Sequence, residues 1–132
     1  MPVLYLDASA LAKLLLTERE SPALERRVAG QRLVTSALSR VEVSRAVRRG
    51  LADPEPALAL FEEILGRCVV LPVDAGMLGA AAGVEPPTLR TLDAIHLASA
   101  LLLADELDAF VTYDRQLGTA AAKAGLLVEA PR

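Results

Sequence analysis

Apolar and polar positions change period repeatedly along the chain, and the changes mark alternating strands and helices. Val3-Leu4-Tyr5-Leu6 is an unbroken apolar run with β-branched and aromatic character, the pattern of a strand buried on both faces. The run stops at Asp7, and Ala8 to Leu16 reads as helix. Asp7 therefore stands at the carboxyl end of a central strand, the edge where open parallel sheets bind ligands. Pro22 suits the first position of a second helix, capped by Ser21 and closed before Gly30. Arg32 to Thr35 is a short strand. Ser36 caps a helix that runs to Arg49 and ends at Gly50. Asp53-Pro54 signals the next start. Leu58, Phe61, Ile64 and Leu65 then recur at helical spacing, with Glu62 and Glu63 outward.

Cys68 to Leu71 is a third strand, and Asp74 to Ala82 a helix weakened by Gly76 and Gly79. Gly83 to Arg90, with Pro86-Pro87, is a loop. Leu92 to Ala104 is apolar nearly all round, which predicts a buried helix. Phe110 to Thr112 is a fourth strand, Arg115 to Lys123 a helix closed by Gly125, and Leu126 to Val128 a fifth strand. Strands alternating with helices imply an α/β fold: a central parallel sheet of four to five strands with helices on both faces. No repeat, linker or low-complexity segment divides residues 1–132, so one domain is expected.

Composition narrows the class. Hydrophobic residues make up 53% of the chain, enough to bury a core without disulfides or structural metal. A lone cysteine cannot form an internal disulfide, and Cys68, beside Val69-Val70-Leu71, reads as a small core residue. One Cys and one His exclude a structural zinc site. The start lacks a cationic segment, and no apolar run is long enough to span a bilayer. The cytosol is the expected compartment, with no membrane partner. Net charge is −3, so no global basic footprint marks a nucleic-acid binder. Arg40, Arg45, Arg48 and Arg49 do fall in one segment, and arginine suits bidentate phosphate contact. A solvated helix face accounts for the same cluster.

Four acids follow strands at one predicted sheet edge. Asp7 follows strand one, and Glu42 lies two turns into the helix after strand two. Asp93 opens the buried helix, and Asp114 follows strand four. Helix capping explains Asp7 and Asp114 equally well. Ser39-Arg40-Val41-Glu42 matches a capping box, although a helix beginning at Ser36 places Glu42 in its interior. Asp93 is the least ordinary, because a carboxylate against a buried surface is costly unless paired or metal-bound. Converging carboxylates with few cationic partners are relieved by a hard divalent cation such as Mg²⁺ or Mn²⁺. Such an ion activates water and stabilises charge on a phosphoryl group, which points to phosphodiester hydrolysis.

The segments Leu6-Asp7-Ala8-Ser9-Ala10, Ser39-Arg40-Val41-Glu42, Leu89 to Ala98 and Val111-Thr112-Tyr113-Asp114 occur in the order found in PIN domains. The chain resembles that family over essentially its whole length, and in particular the ribonuclease toxins of VapBC toxin–antitoxin pairs. The resemblance implies a Mg²⁺- or Mn²⁺-dependent endoribonuclease that forms a homodimer and is held by a cognate antitoxin. It implies a metal site of Asp7, Glu42, Asp93 and Asp114, with Asp7 and Asp93 as direct ligands. Glu42 and Asp114 would bind directly or through water, and Ser9 and Thr112 would orient carboxylates or waters. The four acids show no departure from the family pattern. Residues 51–88 carry little family signal.

His96 lies one helical turn from Asp93, but the resemblance gives it no catalytic role, and its sequence neighbours are apolar. It reads as structural, which leaves a water activated by the cation as the simpler nucleophile. Two other readings stay open. A housekeeping RNA-processing nuclease would share the chemistry without the toxin role. A catalytically silent α/β module would bind a protein partner, its acids serving as caps or as a receiver-type Mg²⁺ site. Lys123 is poorly placed for the receiver reading.

Overall fold

A computed structural model describes residues 2–132. The strands are β1 (Val3–Leu6), β2 (Arg32–Ser36), β3 (Cys68–Leu71), β4 (Leu107–Val111) and β5 (Val128–Glu129). They form one sheet in the order β3-β2-β1-β4-β5, with every pair parallel. The helices are α1 (Ala8–Lys13), α2 (Ser21–Val28), α3 (Leu38–Gly50), α4 (Glu55–Gly66), α5 (Ala75–Ala82), α6 (Thr91–Leu101) and α7 (Arg115–Lys123).

Side chains alternate across each strand, and that alternation divides the core into two layers. Leu4, Leu6, Ala109 and Val111 point to one face, where they pack on Leu11, Leu24, Val43, Val47, Phe61 and Leu65 of α1 to α4. Tyr5, Val34 and Phe110 point to the other face, against Leu97 and Ala100 of α6 and Leu117, Ala120 and Ala121 of α7. Helix α5 covers the outer side of α6 through Met77, Ala81, Ala94, Ile95 and Ala98. Residues 94–100 are all buried, as a helix apolar nearly all round requires, with His96 and Ser99 the buried polar members.

The strand order decides where a site can form. The chain winds outward from β1 to β3, then crosses back to place β4 on the other side of β1. Connections therefore diverge at the carboxyl ends of β1 and β4, which opens a crevice there. Asp7 and Asp114 stand at those two ends.

Several boundaries differ from the sequence pattern. Helix α1 stops at Lys13 rather than Leu16, because the Lys13 carbonyl accepts the Ser21 hydroxyl and its amine bridges Glu18 and Glu20. Ser21 is thus spent on that turn and caps nothing. Asp53 does not cap α4, which begins at Glu55 after Pro54 with no side-chain cap. Ser36 belongs to β2, although its hydroxyl still accepts the Leu38 amide at 3.1 Å. Helix α6 ends at Leu101, three residues before Ala104. Cys68 is only half-buried, since β3 is a sheet edge with Val69 and Val70 exposed. Burial there still pushes its thiol up to about 11. No helix among the described residues is long and apolar enough to cross a membrane.

Candidate active site at the β1–β4 junction

Asp7 is 3% exposed, yet it is a carboxylate. Its Oδ1 accepts the Ala10 amide at 3.0 Å, which caps α1, and the Ser9 hydroxyl at 2.7 Å. Its Oδ2 accepts the Thr112 hydroxyl at 2.6 Å. Ser9 and Thr112 are fixed in turn, accepting the Tyr113 amide at 3.0 Å and the Asp114 amide at 3.1 Å. Every partner of Asp7 is neutral. Burial pushes its carboxyl above the usual range, against the pull of those hydrogen bonds.

Asp114 caps α7, its Oδ1 accepting the Leu117 amide at 2.9 Å. Its Oδ2 accepts Arg90 at 2.6 Å, while Asp93 accepts the same guanidinium at 3.2 Å. Arg90 is thus clamped between two acids at the mouth of the crevice. Asp93 lies in the first turn of α6, its side chain 13% exposed. Burial first, and the Asp114 charge second, raise its carboxyl despite Arg90. In both Asp7 and Asp114 capping uses one carboxylate oxygen and leaves the other to a different partner.

Glu42 sits inside α3, which begins at Leu38, so Ser39 to Glu42 is not a capping box. Ser39 is buried and hydrogen-bonds Thr35 instead. The Glu42 carboxylate meets His96 Nε2 at 2.6 Å. The apolar surroundings expected for His96 are therefore corrected: its spatial neighbours are polar, with Tyr5 Oη 2.8 Å from Nδ1. No local sequence signal announces this, because Tyr5 and Glu42 lie 91 and 54 residues away. Arg90 was likewise hidden inside an apparent loop.

Among the described residues no group of three or more His, Cys, Asp or Glu side chains stands ready to hold a metal ion. The acids fall into three groupings: Asp7 with its hydroxyls, Asp93 with Asp114 under Arg90, and Glu42 against His96. That arrangement still fits Mg²⁺, which keeps several waters and uses one or two carboxylates. The donors are all oxygen. Asp7 is desolvated with no salt bridge among the described residues, and among them its Oδ2 accepts one hydrogen bond, leaving acceptor capacity.

A groove of about 430 Å³ runs from Ser9 and Glu42 along α3 to Arg45 and Arg49, with Leu92 on its wall. Arg45, Arg48 and Arg49 line an adjoining hollow. Arg40 differs: it is paired with Glu62 at 2.6 Å, because α4 packs beside α3.

The family model described as PIN domain matches residues 4–123. Ribonuclease VapC46 of Mycobacterium tuberculosis is 42% identical over 132 residues, covering 99% of each chain. Ribonuclease VapC47 of the same species is 37% identical, covering 98% of this chain and 97% of the relative. Among solved structures, M. tuberculosis VapC20, described as a sarcin-ricin loop cleaving toxin, superposes with a TM-score of 0.72. It does so at 17% identity over 98% of this chain and 99% of that one. The VapBC2 complex of Rickettsia felis, bound to a promoter fragment, gives 0.70 at 12% identity, over 98% and 99%.

Proposed function

Because the chain belongs to the PIN-domain family, within its VapC ribonucleases, we propose that it is a metal-dependent endoribonuclease. It acts in the cytosol as the toxin of a type II toxin–antitoxin pair, and it is expected to form a homodimer restrained by a cognate antitoxin. The observation that carries the chemistry is the desolvated Asp7 carboxylate, whose hydrogen-bond partners among the described residues are neutral and which stands at the end of β1 beside β4, the strand that leads to Asp114. A Mg²⁺ or Mn²⁺ ion, when bound, supplies positive charge to the phosphoryl oxygens and makes water a better nucleophile.

The side chains divide the remaining work. Asp7 and Asp93 are the direct ligands. Glu42 and Asp114 complete the site directly or by holding water. Ser9 and Thr112 keep the Asp7 carboxylate in one orientation, so that little reorganisation accompanies reaction. Arg45, Arg48 and Arg49 line the approach to Glu42 and meet the RNA backbone. Arg40, engaged by Glu62, is the weakest of the four candidates. Water attacks phosphorus, and the ester P–O bond to the leaving ribose oxygen breaks.

The purified protein should cleave structured RNAs with Mn²⁺ or Mg²⁺, and chelator should stop it. Cleavage that survives chelator, or survives Asp7→Asn, would overturn the metal-nuclease reading. Expression of wild type without a partner should arrest growth, whereas Asp93→Asn should not. Equal arrest by both would remove the active site as the cause.

A further inference from the structure

His96 is the chain's single histidine, and it is 1% exposed in the middle of α6. Three elements meet at its ring. Tyr5 from β1 reaches Nδ1 at 2.8 Å, and Glu42 from α3 reaches Nε2 at 2.6 Å. The partners dictate where the protons lie. An ionised carboxylate only accepts, so Nε2 carries hydrogen and donates to Glu42. With Nε2 carrying the hydrogen, Nδ1 of the neutral ring is an acceptor, and the fully buried Tyr5 hydroxyl 2.8 Å away is the donor that satisfies it. One neutral tautomer satisfies both contacts. The phenol is itself aimed, because the Tyr5 ring stacks on Phe110 with centroids 5.2 Å apart and planes within 3°.

We infer that Tyr5 and His96 form a fixed relay that orients the Glu42 carboxylate toward the cation and water of the nuclease site, making His96 a positioning residue. The inference rests on the metal-nuclease reading above. It inverts the familiar arrangement in which a carboxylate orients a metal-bound histidine. Here the histidine is buried behind the acid, and the acid stands at the solvent side with its side chain 23% exposed. A long Glu side chain just past the first turn of a helix has rotamers that miss the crevice. A 2.6 Å bond to a ring packed in the core removes that freedom.

The single histidine makes the test clean. In ¹⁵N-labelled full-length protein without metal, the imidazole should show one tautomer, protonated at Nε2 and bare at Nδ1. Addition of Mg²⁺ should shift the Nε2 resonance through Glu42. His96→Leu keeps much of the volume and removes the donor. His96→Gln restores an N–H near the same place. The Leu variant should lose 10- to 100-fold in Mn²⁺ affinity, read by electron paramagnetic resonance, and in kcat/KM, and the Gln variant should recover most of both. If the Leu variant does not fold, Tyr5→Phe replaces it. That variant should keep Nε2 protonated against Glu42, leave Nδ1 without its donor, and bind Mn²⁺ several-fold more weakly. An Nδ1-protonated ring in wild type, or folded variants that bind Mn²⁺ as tightly as wild type, would overturn the relay alone. A wild type that binds no Mn²⁺ would overturn the metal-site reading, and the relay with it.

Discussion

Thr112 donates its hydroxyl to Asp7 at 2.6 Å and so ties the end of β4 to the end of β1 across the centre of the sheet. Both residues are buried, and the Thr112 oxygen also accepts the Asp114 amide. One hydroxyl thereby sets the orientation of Asp7 and the start of α7. Thr112→Val is nearly isosteric and leaves a buried carboxylate oxygen and a backbone amide without this partner. Loss of a hydrogen bond to a charged group costs about 1.5–3 kcal/mol. Denaturant midpoints should fall accordingly, whereas Thr112→Ser should lie close to wild type. A valine variant as stable as wild type would show that water replaces the hydroxyl.

Arg90 gives the second prediction. Its guanidinium bridges Asp93 and Asp114 but is 67% exposed, so solvent screening leaves the pairs little effect on stability. Its larger effect falls on cation binding, because it already neutralises two of the acids. Arg90→Gln should melt close to wild type and bind Mn²⁺ several-fold more tightly at low salt. The difference should narrow as added salt screens the guanidinium. Titration of both proteins with Mn²⁺ decides it, and equal affinities would mean that Arg90 leaves the carboxylates when a cation arrives.

The arginines of α3 separate by environment. Arg45, Arg48 and Arg49 are exposed with no acid against them among the described residues, whereas Arg40 is held by Glu62. Alanine at 45, 48 and 49 should weaken RNA binding and flatten its dependence on salt. The log–log slope should fall by about 0.7 for each single-strand phosphate that is no longer neutralised. Arg40→Ala should change the slope least. Equal slopes for all four variants and wild type would leave this face as ordinary surface charge.

These contrasts show what the sequence carries and what it does not. The apolar run ending at Asp7 and the unbroken apolar character around Asp93 located two acids, because a buried strand and a buried helix each leave a continuous local signature. The parallel alternation predicted that Asp7 and Asp114 share an edge, and they stand at the neighbouring ends of β1 and β4. Partnerships between distant segments left no such trace. Glu42 met His96 and Tyr5 only because β1, α3 and α6 pack together, and Arg90 reached Asp114 across 24 residues. Local signals also misled where tertiary contacts outweighed them, as at Ser21, whose hydroxyl turned back to Lys13 and Leu16.

Asp7 supports the last prediction, since burial raises its carboxyl above the unfolded value of about 3.9. Between those two pKa values the folded state binds more protons than the unfolded state, so stability falls as pH rises through that window. The favourable contribution is complete only below the unfolded pKa, and at neutral pH the ionised, metal-free site strains the fold. Asp7→Asn removes the charge and keeps an oxygen for Ser9 and the Ala10 amide. In chelator, the variant should therefore melt higher than wild type at pH 7, and the gap should close as pH falls toward 4. Mn²⁺ should reverse the order. At a hundred times its dissociation constant it adds about 2.7 kcal/mol to wild type. For a domain of this size that is on the order of 5–10 °C, while the variant should gain little. If Asp7 were only the cap of α1, the variant would be the less stable protein in chelator at pH 7, and Mn²⁺ would move neither curve. Melting curves of both proteins across that pH range, with chelator and with Mn²⁺, distinguish the two.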